Sequence, residues 1–191
     1  WDHTPHGYQY RVSFTDGYIG GSVDGVAKGI PGAPETPHLL EFKTHNDKSF
    51  QDLKKKGLLE SKPAHYAQMQ MYMKGMKLKR GLYMAVNKNN DELYTERVSY
   101  NATVAKEYLG RGIDIVEARV PPPKTSNRPD WYQCRWCNFS AQCHKGLPLS
   151  KNCRTCDHVQ MPGAGRWTCG RTNKDLSATE QRNGCEEWKS T

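Results

Sequence analysis

All seven cysteines of the 191-residue chain lie between Cys134 and Cys185, and the first 133 residues contain none. An odd, clustered set with two C-x2-C pairs indicates metal binding more than a disulfide framework. The cysteine-free part is long enough to bury a core of its own, whereas the short cysteine-rich part needs cross-links. We therefore predict a core over residues 1–120, a Pro-rich linker over 121–130 and a metal-binding tail over 131–191.

The chain carries a formal net charge of +8. A basic surplus favours phosphate-rich partners or anionic membranes, although a merely solvated surface gives the same sum. No run of 18 apolar residues is present, so we expect no membrane span. No apolar segment follows a basic start, so we expect no secretory signal and a cytoplasmic protein.

Alternating apolar residues and turn signals predict the secondary structure of the core. Residues 9–14 and 18–30 are predicted as a hairpin, and a Pro/Gly-rich loop over 31–37 precedes a third strand over 38–44. Residues 48–62 are polar and fit either a short helix or a mobile loop.

The second half of the core is predicted from the same signals. A helix is expected over 64–76, a second hairpin over 81–87 and 93–100, and a helix that begins at the N-cap Asn101 and ends near residue 118. This order predicts an α/β fold with a central mixed β-sheet flanked by helices.

The third predicted strand carries Glu41 and Lys43, which share one face because side chains alternate along a strand. Asp24 lies on the preceding predicted strand and could lie beside Glu41. Carboxylates are ligands that Mg²⁺ prefers, and a nearby lysine can activate water. The spacing E-x-K also occurs at exposed-looking sites such as Glu60 and Lys62, where a surface charge pair is the simpler interpretation. The apolar context L-L-E-F-K favours a functional role for Glu41.

Gln68 and Tyr72 are four residues apart on the next predicted helix, so they share a face. Gln68 could bridge a catalytic carboxylate or a phosphate oxygen, and Tyr72 could contact nucleic acid. Taken alone, Gln68 would more often be a solvated residue and Tyr72 a core aromatic. The nearby methionines are predicted to pack in the core: Met69, Met71, Met73 and Met76.

Three segments in this order, GGSVDGV, LLEFKTHN and HYAQMQMYM, resemble the RecB-like branch of the PD-(D/E)XK nucleases, and most closely its phage and prophage members. Asp24 matches the motif aspartate, Glu41 and Lys43 match the E-x-K, and Gln68 and Tyr72 match the Q-x3-Y. The resemblance implies a deoxyribonuclease in phage recombination, replication or DNA processing, acting in the cytoplasm of a bacterial host. Expected partners are DNA and phage recombination or replication proteins.

The resemblance also implies roles for these residues. Asp24, Glu41 and the backbone carbonyl of Phe42 would bind Mg²⁺ or Mn²⁺, and Lys43 would activate the attacking water. Members of the family carry an upstream helix with a Glu or His near the metal. The chain begins at Trp1, and its nearest candidates, His3 and His6, lie in no recognisable helix. We expect that helix to be missing from this chain, in which case a non-catalytic nucleic-acid-binding protein is the alternative function.

The tail contains two cysteine groups. The spacing of four soft ligands with one C-x2-C pair predicts a tetrahedral zinc site, with disulfides as the alternative: Cys153, Cys156, Cys169 and Cys185. The remaining three resemble the C-terminal half of an iron–sulfur staple: Cys134, Cys137 and Cys143. With His144 or His158 they could instead bind a second zinc, which we favour.

The basic residues of the tail could contact DNA or simply lie on a solvated surface: Arg135, Lys145, Arg154, Arg166 and Arg171. A purely structural zinc module without a nucleic-acid role is a further alternative for the whole protein.

Overall fold

The computed structural model describes residues 7–118 and 120–190, so His3 and His6 lie outside the described residues. The chain forms two compact units, Trp1–Asp114 and Ile115–Thr191. No helix in the described ranges is both long and apolar enough to cross a membrane.

The elements that begin in the first unit come as four strands, two helices, two strands and one helix. In chain order they are β1 (Arg11–Phe14), β2 (Ile19–Ser22), β3 (Gly25–Ala27), β4 (His38–His45), α1 (Asp47–Ser61), α2 (Pro63–Met76), β5 (Arg80–Asn87), β6 (Leu93–Ser99) and α3 (Ala102–Glu117).

Strands β3, β4, β5 and β6 form one sheet in that order. The β4–β5 pair is parallel, whereas β3–β4 and β5–β6 are antiparallel. A parallel pair requires a crossover connection, and α1 and α2 provide it here. The mixed α/β fold with a central sheet flanked by helices is therefore confirmed.

One predicted strand is wrong. Residues 18–30 were predicted as a single hairpin partner, but they form β2 and β3 in two different sheets, because β2 pairs with β1 and β3 pairs with β4. Between them Val23 is fully buried, and its amide donates to the Tyr10 carbonyl at 2.8 Å. Val23 marks the point at which the chain leaves β1 and continues to β3, so Asp24 lies directly before β3.

The polar segment 48–62 is a helix, α1, and not a loop. The Asn46 side chain accepts a hydrogen bond from the Ser49 amide at 2.9 Å and so caps its start. Gly57, with φ of 74°, interrupts the helix, and Glu96 accepts from the freed Leu58 amide at 2.8 Å. Polarity alone could not distinguish helix from loop here, because the hydrogen bond that supports the interrupted helix at Leu58 comes from Glu96, far along the chain.

The core of the first unit lies between the sheet and the helices. Helix α2 contacts β1, β4 and β5, and Met69 and Met73 on its inner face are fully buried. They pack in one cluster with Leu39 of β4 and Tyr83 of β5. The predicted core role is therefore confirmed for Met69 and Met73, and Met76 packs against the same cluster, whereas Met71 is half-buried outside it. The buried pair places α2 over the face of β4 that carries Glu41.

The second unit consists of short elements. They are α4 (Tyr132–Arg135), α5 (Ser140–Lys145), a 3-10 turn (Cys153–Thr155), β7 (Val159–Gln160), β8 (Thr168–Cys169), β9 (Lys174–Asp175) and α6 (Ala178–Asn183). The three strands form a small antiparallel sheet in the order β7-β8-β9. A capping box between Ser177 and Glu180 begins α6.

Candidate metal centre and cysteine pocket

Asp24 and Glu41 face each other at the end of β3. Gly25 pairs with Leu40 in the antiparallel β3–β4 ladder, so the next position along each strand sets Asp24 opposite Glu41. The Asp24 Oδ2 atom accepts a hydrogen bond from the Phe42 amide at 2.9 Å. The structure therefore brings together the two carboxylates that the sequence had placed on neighbouring strands.

Glu41 is fully buried, and its two carboxylate oxygens differ. Lys43 donates a hydrogen bond to Oε1, and the lysine side chain is 27% exposed. The other oxygen, Oε2, is buried and has no hydrogen-bond partner among the described residues 7–118 and 120–190. A buried acceptor without a partner is costly, and such an atom calls for an explanation such as a bound ion.

Burial raises the pKa of the Glu41 carboxyl group, and the negative charge of Asp24 raises it further. The hydrogen bond and positive charge of Lys43 oppose this shift. Two carboxylates that share a site repel each other when both are ionised. A cation between them would relieve that repulsion.

The Phe42 peptide lies on the same side of β4 as Asp24. Both backbone groups of a strand residue point towards the same neighbouring strand, and the Phe42 amide already donates to Asp24. The Phe42 carbonyl, predicted as a further metal ligand, therefore faces the Asp24 side of the site.

Gln68 and Tyr72 lie together on α2, as their spacing predicts. Gln68 Nε2 donates to the Tyr72 hydroxyl at 3.2 Å. The Tyr72 ring packs on the backbone of Gly21 in β2, so closely that a Cβ atom at Gly21 would lie 2.7 Å from its Cε1 atom. This contact ties the Q-x3-Y pair to the strand that leads into Asp24.

A cluster of His45, His65 and Tyr83 was not predicted as part of the site. The Tyr83 hydroxyl hydrogen-bonds with His45 Nε2 at 3.0 Å and with His65 Nδ1 at 2.9 Å, so it donates to one ring and accepts from the other. His45 shares a strand face with Glu41 and Lys43, and His65 precedes Gln68 by one helical turn. The positions of His45 on the strand face of Glu41, and of His65 one turn before Gln68, were the sequence signals that could have predicted this cluster.

Burial lowers the pKa of both imidazoles and so favours their neutral form. Burial lowers the pKa of His65 to about 4, and the charge of Lys43 adds to the shift. Burial also lowers the pKa of His45, with Lys62 and Lys43 contributing. The start of α2 is thus held close to Lys43 by uncharged hydrogen-bonding groups.

In the second unit, the structure brings one cysteine group together around a single cavity of about 260 Å³: Cys153, Cys156, Cys169 and Cys185. All four are free thiols. Burial raises the pKa of Cys153, and the other three cysteines raise it further. Hydrogen bonds from Thr172 lower the pKa of Cys169. His158 lines the same cavity.

The other cysteine group is more open. Cys134 is buried, while Cys137 and Cys143 are exposed. The neighbouring His144 has a buried Nε2 atom for which the described part of the chain offers no hydrogen-bond partner. Across the described part of the chain, no three His, Cys, Asp or Glu side chains are placed as a closed metal-ligand group. Metal binding by either group therefore stays a prediction.

Three of the five basic tail residues are engaged within the protein. Arg154 lies 5.5 Å from the centre of the Trp167 ring and donates to Gln181 Oε1 at 3.0 Å. Arg166 pairs with Asp175 at 3.3 Å, and Arg171 pairs with a glutamate at 2.5 Å. Their predicted role in DNA contact would require these side chains to change partners.

No protein-family model matches the chain. No curated protein is similar to it either. Among solved structures, one described as "Crystal structure of SSO0001" is 17% identical, with a TM-score of 0.42. The alignment covers 73% of this chain and 60% of that one. A likeness at this level assigns neither a family nor a function, so the chemistry of the site has to be argued from its own residues.

Proposed function

We propose that the protein is a metal-dependent nuclease that hydrolyses phosphodiester bonds in DNA. The observation that carries the proposal is the buried Oε2 atom of Glu41, which has no hydrogen-bond partner among the described residues. Glu41 lies across from Asp24 on the neighbouring strand, and its other carboxylate oxygen accepts a hydrogen bond from Lys43. Natural proteins do not normally bury a carboxylate oxygen without a partner. A divalent cation would supply that partner.

The donor atoms fit a hard cation. Asp24 and Glu41 offer carboxylate oxygens, and the Phe42 carbonyl faces the same side. Oxygen ligands of this kind suit Mg²⁺ or Mn²⁺, and with few protein ligands the ion keeps positions for water and substrate. When bound, the ion polarises the phosphate and lowers the pKa of a coordinated water.

Side chains of this protein would orient the attacking water and position the substrate. Lys43 is partly exposed and already holds Glu41, so it can orient a water and offset the phosphate charge. Tyr72 is hydrogen-bonded to Gln68 and packs on β2, the strand that leads to Asp24, and this pair would steady the substrate strand. This assignment agrees with the family that the motifs resemble, whose members act on DNA, and with the +8 net charge. We infer a cytoplasmic role in phage DNA recombination, replication or processing.

The test is cleavage of plasmid and oligonucleotide DNA with and without Mg²⁺ or Mn²⁺. Asp24→Asn keeps the acceptor for the Phe42 amide and removes the charge, while Lys43→Met keeps the stem and removes the ammonium group. Each should lower the rate by roughly 100-fold or more, because it removes charge stabilisation at the reacting phosphate. Glu60→Gln, on the exposed E-x-K, is the matched control and should have no effect.

Unchanged rates in both variants would contradict the active-site assignment. DNA binding by the wild-type protein without cleavage in any metal would favour the alternative, a non-catalytic nucleic-acid-binding protein.

A further inference from the structure

We propose that Cys153, Cys156, Cys169 and Cys185 together bind one Zn²⁺ ion that serves as a structural clip for the second unit. The proposal does not depend on the nuclease function, because it concerns a different unit and a different ligand chemistry.

The four thiols come from three separate segments of the chain. Cys153 begins the 3-10 turn and Cys156 follows it, Cys169 ends β8, and Cys185 follows α6. All four line one cavity of about 260 Å³. The three segments are separated by 12 and 15 residues in the sequence. Their thiols therefore lie around one cavity because of the fold, and not because they are neighbours along the chain. A ligand held in the cavity would cross-link all three segments.

The unit has little else to hold these segments together. Within residues 146–190, the only buried side chains are those of Cys156 and Gln181. Its strands are two residues long, and isolated strands of that length are not stable. Small lobes without an apolar core commonly depend on a metal or on disulfides. The thiols are therefore the groups in this lobe that can form strong cross-links.

Zinc fits the donor set better than other common ions. Thiolates are soft ligands, and four of them suit the tetrahedral geometry of structural zinc, whereas Mg²⁺ prefers oxygen. Zinc bound by four thiolates carries a net charge of −2, and Arg171 lines the cavity beside Cys169. The thiols are not yet a closed ligand group. Binding therefore requires them to turn inwards, and Cys185, whose residue is exposed, has room to do so.

The first test uses metal analysis of the full chain purified without oxygen. We expect Cys169→Ser and Cys156→Ser to lose one equivalent of zinc relative to the wild-type protein. Ser150→Ala is the control, because Ser150 is an exposed residue of the same unit that carries no thiol and does not line the cavity. It should keep the full zinc content. Equal zinc contents in Cys169→Ser and the wild-type protein would overturn the proposal.

The second test avoids variants that fail to fold. The wild-type chain is alkylated in its native state, with and without a zinc chelator, and the modified cysteines are mapped by mass spectrometry. Without chelator, the four proposed ligands should be protected from alkylation. Chelator should expose all four together. Fast alkylation of the four before chelation, or their recovery as disulfides, would overturn the zinc assignment.

Discussion

Replacing Glu41 by Gln tests two effects of this buried carboxylate separately. One is its cost to the stability of the metal-free protein, and the other is its contribution to metal binding and cleavage. The amide has nearly the same shape but no charge. In the absence of metal, the ionised carboxylate is destabilised by burial and by Asp24, as its raised pKa indicates. A folded-state pKa above the unfolded value means that stability falls as pH rises through that range. Metal-free Glu41→Gln should therefore be at least as stable as the wild-type protein at neutral pH.

Added metal should make the wild-type protein more stable than Glu41→Gln. Mn²⁺ at 100 times its dissociation constant stabilises a folded protein by about 2.7 kcal/mol. At roughly 4 °C per kcal/mol for a domain of this size, the wild-type Tm should rise by about 10 °C. The Gln variant lacks the anionic ligand, so most of this rise should disappear. Cleavage should fall by about 100-fold or more, since the lost charge acts on the transition state.

The assay is a thermal melt with and without Mn²⁺, paired with a cleavage time course on the same protein samples. Glu60→Gln changes the same atoms at an exposed E-x-K and should behave like the wild-type protein in both measurements. Retention of the full Mn²⁺ shift in Glu41→Gln, or a cleavage rate within a few-fold of wild type, would refute the reasoning.

Three further outcomes follow from the helix that covers the site. Gln68→Ala should slow cleavage more than Glu60→Ala does, and equal rates would show that the bond between Gln68 and Tyr72 is incidental. Gly21→Ala should destabilise the protein by about 1–3 kcal/mol in denaturant unfolding, because the added Cβ meets the Tyr72 ring. Gly110→Ala, where a Cβ has open space in α3, should instead be neutral or stabilising by up to about 1 kcal/mol, and a reversed order would contradict the packing. His65, with its pKa lowered to about 4 from its ordinary 6.5, supplies stability that is complete above pH 6.5 and is lost as pH falls through 4. His65→Gln should flatten part of that decline in urea unfolding at pH 7, 6 and 5, and an unchanged slope would exclude His65 as its source.

Local pattern predicted most of the elements in the first unit. The helix over Ala64 to Met76, the strand with Glu41 and the later hairpin were all found with nearly the expected limits. These segments are specified by apolar periodicity, which depends only on neighbouring residues. The prediction for residues 18–30 was wrong because its two halves pair with different strands, β1 and β4, and the pairing of β3 with β4 is not visible in the local pattern.

The sequence by itself determined which residues of the site could share a face, because strand and helix periods follow from backbone geometry. It placed Glu41 with Lys43 and Gln68 with Tyr72, and it confined the cysteines to one end of the chain. Only the tertiary structure decided which distant groups meet. The opposition of Asp24 and Glu41, the unpartnered carboxylate oxygen, the His65–Tyr83 contact and the shared cysteine cavity all depend on strand register and burial. Register and burial are set by the packing of the whole chain, which no local pattern contains.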